Sequence, residues 1–187
     1  SYIMQQVIKT MESLTLDSVR TTGLIINPDN ALHRPDKSID SPSHVENPLR
    51  ITESLKRLKD NKLLERLDVV EETKELSIED LVAVHGEDYA DYLMELWPDQ
   101  CTKQKIGFKD SYYTSFSRRA ALTAAEGCRK AALKIAGGAW SNAFCLVRPP
   151  GHHATVMNNR LTGFCFVNNA VVAARAAQNE GMVGRVA

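Results

Sequence analysis

Between residues 137 and 187 the chain carries only five charged side chains: Arg148, Arg160, Arg175, Glu180 and Arg185. Residues 55–80, by contrast, are crowded with Lys, Glu, Asp and Arg. A stretch so poor in charge belongs in the interior of a fold, whereas the charge-rich stretch reads as a solvated outer helix and its neighbours. Any polar group inside the charge-poor stretch then needs a partner or a task. The 187 residues hold 23 Lys+Arg against 23 Asp+Glu, a net charge of zero. That length allows one domain with a sizeable core, or two small ones. The charge balance argues against a protein that grips nucleic acid by bulk electrostatics. The uncharged runs Ile135–Val147 and Leu161–Ala174 are shorter than the roughly 18–20 apolar residues of a membrane span. The opening SYIMQQVIKTMESL lacks the basic region, apolar block and small-residue site of a signal peptide. An intracellular, soluble chain is the expectation.

The apolar periodicities alternate between strand and helix. Ile3, Val7, Met11 and Leu14 suggest a helix within an N-terminal extension over residues 1–20. Leu24–Ile26 reads as a buried strand closed by Asn27-Pro28-Asp29, followed by a long ordered loop to residue 47. Asn47-Pro48 starts a helix whose stripe is Ile51, Leu55, Leu58 and Leu63. Leu67–Val70 is a candidate strand. Ser77 and Asp80 resemble a capping box before Leu81, Val82 and Val84, and a further helix carries Tyr89, Tyr92, Leu93 and Leu96. An Ala-rich helix spans Arg118–Ala136 and stops at Gly137-Gly138. A buried strand over Ala143–Val147, a helix over Val167–Gln178 and the start of another strand at Val183–Ala187 complete the pattern. Alternation of this kind predicts an α/β fold with a mainly parallel sheet, whose site lies where loops leave the strands' C-terminal ends. The four cysteines, Cys101, Cys128, Cys145 and Cys165, show no CxxC spacing and read as small buried hydrophobes.

Directly after the strand Ala143–Val147 comes Arg148-Pro-Pro-Gly-His-His-Ala154. Two prolines stiffen the exit from the strand, and Gly151 permits close backbone approach or an unusual dihedral. Adjacent His152 and His153 on such a loop can both face one cleft, and imidazole suits proton transfer near neutral pH. Downstream, Gly163-Phe-Cys-Phe-Val-Asn-Asn169 leads into a helix of small residues. Taken together, RPPGHHA and GFCFVNNAVVAA resemble the zinc-dependent histone deacetylases, most closely the class II type. Three weaker matches fall in the family's order. Asp40–Arg50 resembles the segment ahead of its first long helix, Val84-His85 with Tyr89 its short His–Tyr motif, and Asp110-Ser111-Tyr112-Tyr113 part of its pocket rim. The resemblance covers residues from about 21 to 187.

That resemblance implies the arginase–deacetylase fold and a hydrolase that releases acetate from acetyl-lysine of histones or other proteins. A zinc ion would polarise the amide carbonyl and activate water. His153 would be the general base, and His152 would assist electrostatically and help position the water. Phe164 would wall the narrow tunnel for the acetyl-lysine chain, Gly163 would line it, and Ser111 would hydrogen-bond the substrate backbone. Arg50 would sit deep near the base of the pocket. Acetylated histone tails or other acetyl-lysine proteins are the implied substrates, with a corepressor complex as partner, no direct nucleic-acid or membrane binding, and the nucleus or cytoplasm as location.

One departure outweighs the matches. The family's zinc ligands, an Asp-x-His motif and a later Asp, and its oxyanion-stabilising Tyr would follow Ala187. His33, His44 and His85 sit in the wrong segments to replace them, and a catalytic zinc normally takes three protein ligands. The expectation is the N-terminal half of a deacetylase domain over residues 21–187, holding none of the metal ligands. An inactive binding partner, or a deacetylase of acetylated polyamines or other small amides, are the alternatives. Residues 1–187 alone are therefore expected to bind no catalytic zinc, to hydrolyse no acetyl-lysine, and to aggregate or bind a hydrophobic dye. A parallel sheet needs cover on both faces, and exposed apolar surface costs about 25 cal/mol per Å². Zinc content, turnover and the unfolding transition of purified 1–187 check this. A monomer with a sharp transition would overturn the stability expectation, and stoichiometric zinc with turnover would overturn the half-site reading.

Overall fold

The computed structural model describes residues 21–34, 44–96, 112, 114–154 and 163–186. The expected helix within residues 1–19 lies outside them. Three parallel strands, β1 (Thr22–Ile26), β2 (Leu67–Glu71) and β3 (Asn142–Leu146), form a sheet in the order β2-β1-β3. Thr22 stands opposite both Leu67 and Asn142, and Ile26 opposite Glu71 and Leu146, so all three strands end at one level. Five helices surround them: α1 (Leu49–Asp60), α2 (Ile78–His85), α3 (Glu87–Leu96), α4 (Ser117–Ala136) and α5 (Asn169–Asn179). The α/β architecture with a parallel sheet is thus the one expected.

Alternation along β1 divides the core. Leu24 and Ile25 are both fully buried, but successive strand residues face opposite sides of a sheet. Leu24 packs with Ile51 and Leu146, joined by Leu55 and Leu58 of α1. Ile25 packs with Ala131 of α4 and Trp140. A third cluster joins α2, α3, α4 and α5 through Leu81, Tyr89, Leu93, Leu122, Val172 and the loop residue Phe166. This last cluster carries the segment that precedes α5. Among the described residues no helix is long and apolar enough to cross a membrane.

The local stop and start signals work as their chemistry demands. Asn47 Oδ1 accepts from Leu49 N at 2.9 Å ahead of α1. Ser77 Oγ accepts from Asp80 N at 3.1 Å and donates to Asp80 Oδ2 at 3.2 Å, so the capping pair opens α2. Gly138 follows α4 with φ +78°, a conformation that favours glycine.

Two expectations fail. Leu63 does not continue the α1 stripe and is 38% exposed, because the helix ends at Asp60 and Lys62 adopts φ +55°. Leu64 packs beside α1 instead. Residues 183–186 are not a strand. The chain leaves α5 through a turn with Gly181 at φ +69° and pairs with none of the described strands, and a strand exists only through its ladder partner. Among the described strands β3 lies at the sheet edge, with Phe144 57% exposed.

Candidate active site

The first residues beyond β3 are anchored by a buried arginine. Arg148 donates from Nε to Glu46 Oε1 and from Nη2 to Glu46 Oε2, both at 2.6 Å, a bidentate fork. Nη1 donates to Asn30 O at 2.6 Å, Nη2 also to Tyr112 Oη at 2.8 Å, and the Arg148 main-chain N to Asn30 Oδ1 at 2.8 Å. Tyr112 Oη in turn lies 3.0 Å from Glu46 Oε2. Burial opposes ionisation of Glu46, yet the hydrogen bonds and charge of Arg148, with His33 and Tyr112, hold its carboxyl below the ordinary range. A buried pair so placed loses about 3–5 kcal/mol when one partner is removed, since the other charge is stranded.

His33 completes this cluster. Its ring stacks on Tyr112 with centroids 4.8 Å apart, Nδ1 lies 2.8 Å from Ser117 Oγ, and Nε2 lies 3.5 Å from Glu46 Oε2. Burial pushes its pKa down to about 3, outweighing the Glu46 charge that pulls it up, with Arg148 and His44 adding to the depression. The ring is therefore neutral, and a single N–H on Nε2 facing Glu46 leaves Nδ1 to accept from Ser117.

With Arg148 fixed, the loop to Ala154 is strapped to the segment 163–169. His153 N donates to Cys165 Sγ at 3.3 Å, and Cys165 Sγ donates to Gly163 O at 3.3 Å. Burial pushes the Cys165 thiol up, against the pull of the His153 and Ala154 N–H groups, so it keeps the proton it donates. Asn168 Nδ2 donates to Ala154 O at 3.0 Å while Asn168 Oδ1 accepts from Val171 N at 3.1 Å, capping α5. A Cβ at Gly151 would lie on Val167 O and 2.5 Å from Asn169 N, so close approach is what this glycine provides. From below, His85 Nε2 accepts from Asn168 N at 3.0 Å and Tyr89 Oη donates to Phe166 O at 3.0 Å. Burial lowers the His85 pKa to about 4, which keeps Nε2 free to accept.

The result brings His152, His153, Gly163 and Phe164 together. The two imidazoles lie 4.3 Å apart between centroids, and both residues are exposed. His153 rests on Gly163, where a Cβ would come within 2.5 Å of His153 Cδ2. Phe164 is half-buried at φ +67°, a left-handed conformation that costs a bulky residue about 1–3 kcal/mol. Its ring meets His44 edge-on, at 5.5 Å and 73°.

Ser111 lies outside the described residues. Arg50 does not sit deep: its side chain is 58% exposed and 3.7 Å from Glu46 Oε1. It stands at the edge of a cleft of about 320 Å³ that Glu46, Ile51, Ser54, Arg148 and Pro150 also line. The buried arginine is Arg148, which the bidentate Glu46 leaves no room to duplicate. Tyr112, expected within a rim segment, points inward to that pair. Sequence reading missed Glu46, Asn30 and His33 as anchors; the unexplained Arg148 in a charge-poor stretch was the signal that a buried acid existed. Among the described residues no three His, Cys, Asp or Glu side chains are placed to hold a metal ion.

An α/β domain with a paired-histidine loop at the end of a parallel strand is the class that fold and site define. The histone deacetylase domain family matches residues 44–187, and the chain belongs to that family. It is 38% identical over 110 residues to histone deacetylase 15 of Arabidopsis thaliana, covering 58% of this chain and 19% of that protein. It is 31% identical over 147 residues to the human polyamine deacetylase HDAC10, covering 76% of this chain and 22% of that protein. The crystal structure of the HDA15 HD domain superposes with a TM-score of 0.77 at 30% identity, over 88% of this chain and 44% of that one. The fold is the arginase–deacetylase fold. The chain spans about a fifth of the length of those two relatives and less than half of the solved domain.

The buried histidines make stability pH-dependent. His33 takes up a proton near the ordinary 6.5 when unfolded but only at about 3 when folded. Its contribution is present above pH 6.5 and is lost as pH falls through the window down to about 3. In that window one extra proton bound by the unfolded state gives a slope of about 1.4 kcal/mol per pH unit. Urea unfolding at pH 7, 6 and 5 is expected to show stability falling with acid in the wild type, and falling less steeply in His33→Gln. Equal slopes in the two proteins would show that His33 is not buried as the neutral form.

Proposed function

We propose that this chain supplies the proton-transfer and substrate-gripping part of a deacetylase that hydrolyses acetyl-lysine in histones or other proteins. The observation that carries the reading is the exposed His152–His153 pair, with His153 resting on Gly163 next to the strained Phe164, on a loop anchored by the buried Arg148 and Cys165. Zinc belongs to the reading: when bound it supplies Lewis-acid polarisation of the amide carbonyl and a more acidic water. The described residues form no three-ligand set for it, so the roles here are those of the chain's own side chains.

His153 takes the proton of the attacking water and returns it to the lysine nitrogen as the amide C–N bond breaks, so that acetate and a free amine leave. His152 stabilises the charge that forms on its neighbour and holds the water. Phe164 and Gly163 form a flat slot for the methylene chain, with the absent glycine side chain leaving His153 in reach of the carbonyl. Acetylated small amides are the second reading, favoured by the likeness to a protein named as a polyamine deacetylase. Full-length protein assayed on an acetyl-lysine peptide and on acetylated polyamine separates the two. Action on chromatin within a corepressor complex, in nucleus or cytoplasm, is the setting that goes with the protein substrate.

In the full-length enzyme His153→Ala is expected to lower turnover by about 10²–10⁴-fold with zinc content unchanged, since general-base catalysis is worth that much. Loss of zinc along with activity would contradict the role of base. Phe164→Ala is expected to raise KM while costing far less stability than the roughly 3–5 kcal/mol of a core phenylalanine. Thermal unfolding showing a loss of that size at unchanged KM would make Phe164 a core residue.

A further inference from the structure

Helix α4 comes down onto the sheet at a residue without a side chain: a Cβ at Gly127 would lie 2.6 Å from Ile25 Cγ2. Cys128 follows directly, and Ala131, three residues on and so on the same helix face, is buried with Ile25 and Trp140. Cys145 of β3 packs against that same cluster and is the register partner of Ile25. The close approach at Gly127 thus sets a helix cysteine beside a strand cysteine, near enough that each shifts the other's ionisation. Both are free thiols and both are half-buried. Neither takes part in the candidate active site.

We propose that Cys128 and Cys145 form a redox pair that closes to a disulfide between α4 and β3 when a hydroperoxide oxidises it. The two thiols are unequal. Cys145 and burial hold Cys128 above the ordinary thiol range, while Cys128 draws Cys145 below it. Cys145 is the more readily ionised of the two, and the thiolate is the nucleophile. Its sulfur attacks one peroxide oxygen, the O–O bond breaks, and the departing oxygen takes up a proton to leave as water or an alcohol. Cys145 is now a sulfenic acid. Cys128 gives up its proton as its sulfur attacks the sulfenic sulfur, the S–S bond forms, the S–O bond breaks, and water leaves. Two thiols are oxidised and one peroxide is reduced. The bond would pin the strand that runs straight into Arg148 and the histidine loop.

Full-length protein treated with hydrogen peroxide, blocked with N-ethylmaleimide and digested with trypsin without reductant tests the pair. Cys128 lies on the peptide Ala120–Arg129 and Cys145 on Ile135–Arg160, because trypsin does not cut before Pro149. The expected product joins these two peptides, two hydrogens lighter than their sum, and is lost on adding dithiothreitol. Cys128→Ser is expected to abolish the link and to accumulate a Cys145 sulfenic acid that dimedone traps. The oxidised wild type is expected to unfold at higher urea than the reduced one, with no such shift in Cys128→Ser. Recovery of both residues as maleimide adducts or separate sulfinic acids, or a link from either to Cys101 or Cys165, would overturn the proposal.

Discussion

The Arg148–Glu46 ion pair is the constraint on which the site depends. A buried guanidinium at a strand's end is tolerable only when its donors find acceptors, and here Glu46, Asn30 and Tyr112 provide them. Those partners come from three distant segments: the loop after β1, the segment before α1, and the approach to α4. The pair therefore does more than neutralise a charge. It fixes where three loops meet, at the start of the histidine loop.

From that anchor the geometry passes outward by short, directional contacts. The Arg148 backbone sets the start of the histidine loop. The Cys165 thiol and the Asn168 amide tie that loop's far end to the segment before α5. His85 and Tyr89 brace the same segment from the helical layer. The cost of holding Phe164 at positive φ is met by this over-determined surround. What remains open to solvent is the pair of imidazoles.

Much of the site was readable because its chemistry is local. RPPGHHA and GFCFVNN are contiguous, and a histidine pair on a proline-stiffened strand exit has few structural uses. The strands Leu24–Ile26 and Ala143–Val147 were legible from unbroken apolar runs, Leu67–Val70 from Leu67, Val69 and Val70 around Asp68, and α4 from its alanine pattern and terminal glycines. Glu46 and His33 were not legible. An acidic residue in a polar loop looks like any solvated carboxylate until the fold carries it against an arginine 102 positions away in sequence. The misplacement of Arg50 has the same origin: both arginines lie near Glu46, and only packing decides which of them is enclosed.

Local composition alone was enough to make this an α/β chain with a charge-poor interior and a histidine loop at a strand end, because periodicity, proline stiffness and imidazole chemistry act over a few residues. Which polar groups are buried, which neighbour satisfies each, and which aromatic is held in strain depended on the tertiary structure. Those outcomes are set by through-space electrostatics and close packing between segments far apart in the chain. The same holds for Cys128 and Cys145: unremarkable as scattered cysteines, they become partners only because Gly127 lets a helix settle onto the sheet.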